Sequence, residues 1–293
     1  MKAIEAENLT KYYKKSKGID GVSFSVEEGD FFGFIGPNGA GKSTTIRTLL
    51  GLIEKDQGEA RVFGLDTARE KEKILSRVGY MPSDTIFYSG MRVREVIELS
   101  AKLRKKDCKK AAEELCERLD LDKNKKVEAL SFGNRKKVGI VCALQHSPDL
   151  CILDEPTSGL DPLMQREFFN ILEEKNRDGM TVFLSSHVLS EVGRYCKNAA
   201  IIREGRVIAC DSVRALGHTG VKKVSLSGFK GEIDLDGARD IKREGETVRF
   251  LYSAPPKELL SVLSGLEFSD VNISDPDLEE VFMHYYVKEG GAK

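Results

Sequence analysis

The sequence predicts an α/β fold: a mainly parallel β-sheet covered by helices, with a helical insertion, followed by a small α+β unit. Three observations predict it. Over the first 216 residues, short apolar runs at 31–35, 150–153, 181–185 and 199–202 alternate with helical periodicity, as strands of a helix-covered parallel sheet do. Within that stretch, 91–145 shows helical periodicity alone, which places a helical subdomain at about 84–145. After Leu216 the segment Gly217-His218-Thr219-Gly220 breaks the pattern, and two strand-like runs (222–227 and 247–252), a helix near 256–263 and a strand near 268–273 follow. The expected organisation is a first domain over 1–216 and an accessory α+β domain over 217–293.

Bulk composition fits two folding units. A chain of 293 residues with 40% hydrophobic and 32% charged residues can bury a core and is not of the disordered class. Its 46 basic and 47 acidic residues leave a formal charge of −1, so no global field attracts nucleic acid or anionic lipid, and no nucleic-acid partner is expected. The Lys- and Arg-dense run 102–110 reads as the solvated face of a helix. No run approaches the ~18 apolar residues of a membrane span, and 1–11 lacks the apolar stretch of a signal peptide. The six cysteines, Cys108, Cys116, Cys142, Cys151, Cys196 and Cys210, form no CxxC pair and lie mostly in apolar patterns, which predicts reduced, structural thiols.

The strand at 31–35 runs directly into Gly36-Pro37-Asn38-Gly39-Ala40-Gly41-Lys42-Ser43, which fits GxxxxGK[ST]. Behind it Ile46, Leu49, Leu50 and Ile53 fall at helical spacing, so the loop joins a strand to an amphipathic helix. Glycines let successive N–H groups turn inward onto phosphate oxygens, and the helix N-terminus adds partial positive charge. Lys42 is then expected on the β and γ phosphates of a nucleotide, Ser43 on Mg2+ and Thr44 on a neighbouring phosphate.

The apolar strand at 150–153 ends in Asp154 and Glu155, and strand C-termini form the ligand edge of a parallel sheet. Asp154 is expected to hold Mg2+ through its water shell, and Glu155 to polarise the attacking water.

Between loop and acidic pair, Leu130-Ser131-Phe132-Gly133-Asn134 opens a helix rich in basic residues (Arg135, Lys136, Lys137). Ser158-Gly159-Leu160-Asp161 follows the acidic pair, and His187 closes the strand at 181–186. In this order and rough spacing, these motifs resemble those of the ATP-binding cassette (ABC) family over about 1–216. The resemblance implies a P-loop NTPase cassette with an antiparallel β part beside the parallel core. It also implies ATP as the nucleotide and a head-to-tail pair of cassettes, with a homodimer expected. Ser131 and the backbone of Gly133 would grip the γ phosphate bound by the other subunit. His187 would contact that phosphate and hold Glu155 and the water, and Asp161 would sit at the subunit contact. Tyr13 occupies the position of the adenine-stacking ring, with Tyr12 as the neighbouring alternative.

The chain departs from the family pattern in two places. Ser83, in Gly79-Tyr80-Met81-Pro82-Ser83-Asp84, stands where the family usually has Gln. Ser83 would then reach Mg2+ only through water, or Asp84 would substitute. Phe132 and Asn134 replace a glycine and the glutamine of LSGGQ; a position that needs positive φ would strain Phe132, giving a working but slow site.

At the C-terminus, Asp275-Pro276-Asp277-Leu278-Glu279-Glu280-Val281-Phe282 is similar to the closing helix of the cassette subunits of bacterial ABC-2-type exporters. Leu278, Val281, Phe282 and Tyr285 share one helical face. The implied function is the ATP-hydrolysing subunit of a membrane exporter. Such a subunit sits at the cytoplasmic face of the cell membrane on a separate multi-span subunit. That subunit would insert a helix into a groove lined by 80–88 and the helix at 91–102. A soluble cassette ATPase that remodels ribosome or DNA complexes, and a regulatory subunit with little turnover, are the competing readings.

Overall fold

The computed structural model describes residues 1–13, 16–217, 221–233 and 235–274. It divides into two compact units, Met1–Asp211 and Ser212–Lys293.

The first unit opens with β1 (Lys2–Tyr13) and β2 (Ser16–Glu27), paired antiparallel with Ala6 opposite Phe24 and Leu9 opposite Val22. Next come β3 (Phe31–Ile35), α1 (Lys42–Leu49), β4 (Gln57–Val62), β5 (Leu65–Asp66), α2 (Lys71–Arg77) and β6 (Val78–Met81). β4 pairs with β1 and β5, completing a four-stranded antiparallel sheet in the order β2-β1-β4-β5.

Three helices form the insertion: α3 (Val93–Leu103), α4 (Lys109–Arg118) and α5 (Phe132–Leu144). The helical part begins at Val93, after turn and irregular chain, and it is not purely helical. A 3-10 turn covers Val127–Ala129, and Arg92 and Lys126 form an antiparallel bridge that ties the two ends of the insertion together.

The chain then returns to the sheet with β7 (Leu150–Asp154), α6 (Pro162–Arg177), β8 (Thr181–Ser186), α7 (Leu189–Tyr195), β9 (Asn198–Arg203) and β10 (Arg206–Ser212). The six-stranded sheet has the order β10-β9-β3-β8-β7-β6, and its pairs β9-β3, β3-β8, β8-β7 and β7-β6 are parallel. β3, β7 and β8 are buried at every residue, which is why each reads as a continuous apolar run rather than an alternating one. The two sheets share a core. Phe24 of β2 meets Phe32, Phe34 and Phe183 with ring centroids 5.3–5.9 Å apart, and Ile46, Leu49 and Leu50 of the α1 region join the same cluster.

The second unit contains α8 (Val213–Gly217), β11 (Lys222–Ser227), β12 (Ala238–Glu244), β13 (Thr247–Tyr252), α9 (Pro256–Leu263) and β14 (Asp270–Ser274). Its antiparallel sheet has the order β12-β13-β11-β14. Val224, Leu226, Val248, Phe250 and Tyr252 pack there with Leu259 and Leu263 of α9. β12 escapes the sequence pattern because six of its seven residues are exposed, so it carries no apolar alternation. The segments 218–220 and 275–282, which include part of the break after Leu216 and the closing helix, lie outside the described residues.

All six cysteines are free. Cys108, Cys116, Cys151 and Cys196 are buried and Cys142 half-buried, whereas Cys210 is exposed. Burial pushes the thiols of Cys142 and Cys151 up to about 12, which keeps them protonated and unreactive.

Candidate functional site

The parallel sheet delivers three strand ends to one edge. β3 ends at Ile35 and leads through 36–41 into α1, whose N-cap Gly41 has φ 107. A side chain at that angle is strained, and a Cβ there would also lie 2.8 Å from the Gly18 carbonyl oxygen and from Ile19 Cγ2. Pro37, Asn38 and Gly39 are exposed, while Gly36 and Ala40 are buried and anchor the loop. No acidic residue lies in the first turn of α1, so the positive end of the helix is free to act on an anion.

Lys42 curls back over this loop. Its buried ammonium donates to the carbonyls of Gly36 (2.6 Å) and Pro37 (3.1 Å) and pairs with Glu155 Oε1 at 3.1 Å. Ser43 Oγ donates to Asp154 Oδ2 at 2.6 Å, and Ser185 Oγ donates to Asp154 Oδ1 at 3.0 Å. Thr44, half-buried, uses its carbonyl to accept from Thr48 Oγ1.

Asp154 is fully buried at the end of β7. Among the described residues no group of three or more His, Cys, Asp or Glu could hold a metal. The donor set of Ser43 Oγ and Asp154 is instead all oxygen and carries a single charge. That suits Mg2+, which takes few protein ligands and fills its shell with phosphate oxygens and water.

Glu155 departs from the strand with φ 50, a left-handed conformation uncommon outside glycine. Its N–H donates to the Ser185 carbonyl at 3.0 Å. This turn puts one carboxylate oxygen on Lys42 and the other on His187, whose Nδ1 donates to Oε2 at 2.6 Å. The His187 segment is itself braced: Ser186 Oγ accepts from Val188 N and donates to Glu191 Oε2, both at 2.9 Å. Burial raises the Glu191 carboxyl above the usual range. Lys136 of α5 reaches the same place from below, donating from Nζ to the Glu155 carbonyl at 2.9 Å.

Of the predicted residues, the structure therefore brings Gly36, Pro37, Lys42, Ser43, Asp154, Glu155 and His187 together. Ser83 lies half-buried just past β6, whose Met81 pairs with Leu153 of β7. Burial, and then the nearby charge of Asp154, raise the hydroxyl of Tyr80 on that strand. Tyr13 is at the end of the β1–β2 hairpin, 42% exposed, and its ring covers Gly18, the residue whose carbonyl abuts Gly41. Tyr12 instead anchors through its N–H to Asp56.

Ser131, Gly133 and Asp161 form a second cluster. Ser131 caps α5, accepting from Asn134 N at 3.3 Å, and Asp161 caps α6, accepting from Leu163 N and Met164 N. Gly133 packs so tightly on the Gly159 carbonyl that a Cβ could not fit. With Asn134 they line a cavity of about 620 Å³. The expected strain at Phe132 is absent. Phe132 is the first residue of α5 and is not among the positive-φ positions, because the turn is made by Ser131 in extended conformation. Its ring lies over Gly159 instead.

The groove beside the helical insertion has a cavity of about 700 Å³ lined by Leu75, Ile86, Tyr88, Met91, Leu99 and Leu103. Ile86 is 88% and Tyr88 76% exposed. Tyr80 does not line it but is half-buried and hydrogen-bonded to Arg47. Sequence reasoning missed Ser185, Glu191 and the role of Lys136. The Ser185-Ser186 pair ending an apolar strand was a usable signal; nothing separates Lys136 from its basic neighbours.

The ABC transporter family model matches residues 19–158. The bacitracin transport ATP-binding protein BcrA of Bacillus licheniformis is 39% identical over 70% of this chain and 68% of its own. The linearmycin resistance ATP-binding protein LnrL of Bacillus subtilis is 31% identical over 96% of this chain and 97% of its own. A solved ATP-binding subunit of an ABC transporter is 30% identical with a TM-score of 0.69, covering 73% of this chain and 91% of that one. A dimeric bacterial ABC transporter cassette shares the fold at a TM-score of 0.64 and 24% identity, covering 72% of this chain and 99% of that one.

Proposed function

The chain belongs to the ABC transporter family as one of its ATP-hydrolysing subunits, and from that premise we propose that it powers a membrane exporter as one half of a head-to-tail cassette pair. The observation that carries the hydrolytic part is the clamping of Glu155 between Lys42 and His187 at the mouth of the phosphate loop.

In this reading the N–H groups of 36–44 and the α1 N-terminus bind the phosphates of ATP, and Tyr13 stacks on the base. Lys42 turns from the Gly36 and Pro37 carbonyls and from Glu155 Oε1 to the β and γ phosphates. That frees Glu155 Oε1 to accept a proton from water, while His187 fixes Oε2 and so the direction of attack. Ser43 and Asp154 would hold Mg2+, with Ser83 contributing at most through water, and the bound ion would supply charge neutralisation for the phosphates. Ser131, the Gly133 N–H and Asp161 face the nucleotide of a second copy, so the cavity they line is completed only by the pair.

A separate multi-span subunit supplies the membrane path. Among the described residues no helix is long and apolar enough to cross a membrane. The exposed Ile86, Tyr88 and Leu103 offer such a subunit an apolar groove, and docking there supports a peripheral position on the cytoplasmic face. Similarity along nearly the full length to a linearmycin resistance protein supports export, and the second unit is an accessory domain in that assembly.

The test is to tag the full chain, extract membranes in mild detergent and identify what co-purifies. A multi-span protein in equal amount is expected. Ribosomes or DNA-bound factors in its place would overturn the exporter reading.

A further inference from the structure

Arg135, Lys136 and Lys137 stand in a row on α5, yet only Lys136 is completely buried, at 0% exposure. Burying an ammonium is costly, and Ile140, one turn further along the same face of α5, is buried, so this face accepts apolar side chains. Packing alone therefore does not call for a lysine. Among the described residues its Nζ forms no ion pair; it donates instead to a main-chain oxygen, the Glu155 carbonyl, at 2.9 Å. Asp154, Asp84 and Glu155 supply compensating negative charge, against the burial that lowers its proton affinity.

That carbonyl belongs to the residue with φ 50, a conformation that needs support from its surroundings. Lys136 also lies 5.6 Å from the centroid of the Phe132 ring, which rests on Gly159 in the turn after Glu155. One side chain thus touches the N-terminal turn of α5 and the main chain of the acidic residue.

We propose that Lys136 is a positioning residue for hydrolysis: it ties α5, whose N-terminus carries Ser131 and Gly133, to the Glu155 main chain and keeps the Glu155 carboxylate aimed between Lys42 and His187. This rests on the hydrolytic site proposed above. It makes the face offered to a second copy and the water-polarising group of the same copy mechanically one unit.

The test uses the full-length chain with Lys136→Met, which keeps the apolar stem and removes the donor, and Lys136→Gln, which keeps a neutral donor one atom shorter than the lysine. ATP affinity, KM, kcat and melting temperature are measured beside Glu155→Gln. Lys136→Met should lower kcat about tenfold to a hundredfold, the worth of a charge-assisted hydrogen bond, with KM and ATP affinity near wild type. Lys136→Gln should fall between Met and wild type. Wild-type kcat in either folded variant overturns the proposal, as does a loss of ATP affinity in step with kcat, which marks a merely structural role. If Lys136→Met does not fold, Lys136→Gln decides by the same criteria. Turnover in Glu155→Gln equal to wild type would instead sink the hydrolytic site itself, so the two failures are distinguishable.

Discussion

Alanine placed at two glycines of the phosphate loop separates backbone strain from collision. Gly39 has φ 82 and open space where a Cβ would go, whereas Gly41 has φ 107 and would place a Cβ 2.8 Å from the Gly18 carbonyl oxygen and Ile19 Cγ2. Gly39→Ala therefore pays only for a left-handed residue, about 1–2 kcal/mol. Gly41→Ala adds overpacking of about 1–3 kcal/mol against a carbonyl and a branched side chain, for about 2–5 kcal/mol in all. In a unit of this size each kcal/mol moves the midpoint by about 2–4 °C, so the expected drops are a few degrees for Gly39→Ala and about twice as much, roughly 10 °C, for Gly41→Ala. Thermal melting of the nucleotide-free full chain reads both. ATP affinity should fall further in Gly41→Ala, because relieving the collision shifts the start of α1 and with it Lys42 and Ser43. A Gly41→Ala chain no less stable than Gly39→Ala would refute the close approach of the β2 start to the loop.

Three further perturbations have expected outcomes. Lys42→Ala removes the ammonium at the loop and should weaken ATP binding by about 1.5–3 kcal/mol, read by equilibrium titration; unchanged affinity contradicts the loop's assignment. Burial, and after it the Arg104 guanidinium, pulls His146 from 6.5 down to about 4. The unfolded chain then takes the proton first, so this stability is complete above pH 6.5 and drains as pH falls toward 4, by about 3 kcal/mol in all. Urea unfolding across that window should show the slope, and His146→Gln should flatten it. Arg118 of α4 binds Glu167 and Glu174 of α6, and these partners raise its proton affinity. Because Glu174 is half exposed, Arg118→Met should cost only about 1 kcal/mol, less at high salt, as melting at two ionic strengths will show.

What could be read in advance follows burial. β3, β7 and β8 are apolar throughout because a parallel sheet covered on both faces demands it, and the glycine loop and acidic pair sit at their ends. The β1–β2 hairpin was visible only through family resemblance, since its charged and small residues blur the alternation that its register later explains. Strain at Phe132 is expected only if a family glycine marks positive φ; here Phe132 is the first residue of α5, and the extended Ser131 makes the turn. Glu155 carries the unusual φ instead, and no residue type there announces it. Ser185 and Lys136 meet Asp154 and Glu155 only through tertiary folding, from 31 and 19 residues away. A sequence window cannot contain that contact.

The central claim is that Glu155 polarises the water that attacks ATP. Its most direct test is steady-state ATP hydrolysis by Glu155→Gln, with ATP binding and dimer formation followed in the same preparation. Turnover should drop by at least about a hundredfold while ATP still binds and holds two copies together, since Gln keeps the shape and loses the base. Turnover close to wild type in a folded, ATP-binding Glu155→Gln chain would contradict the account.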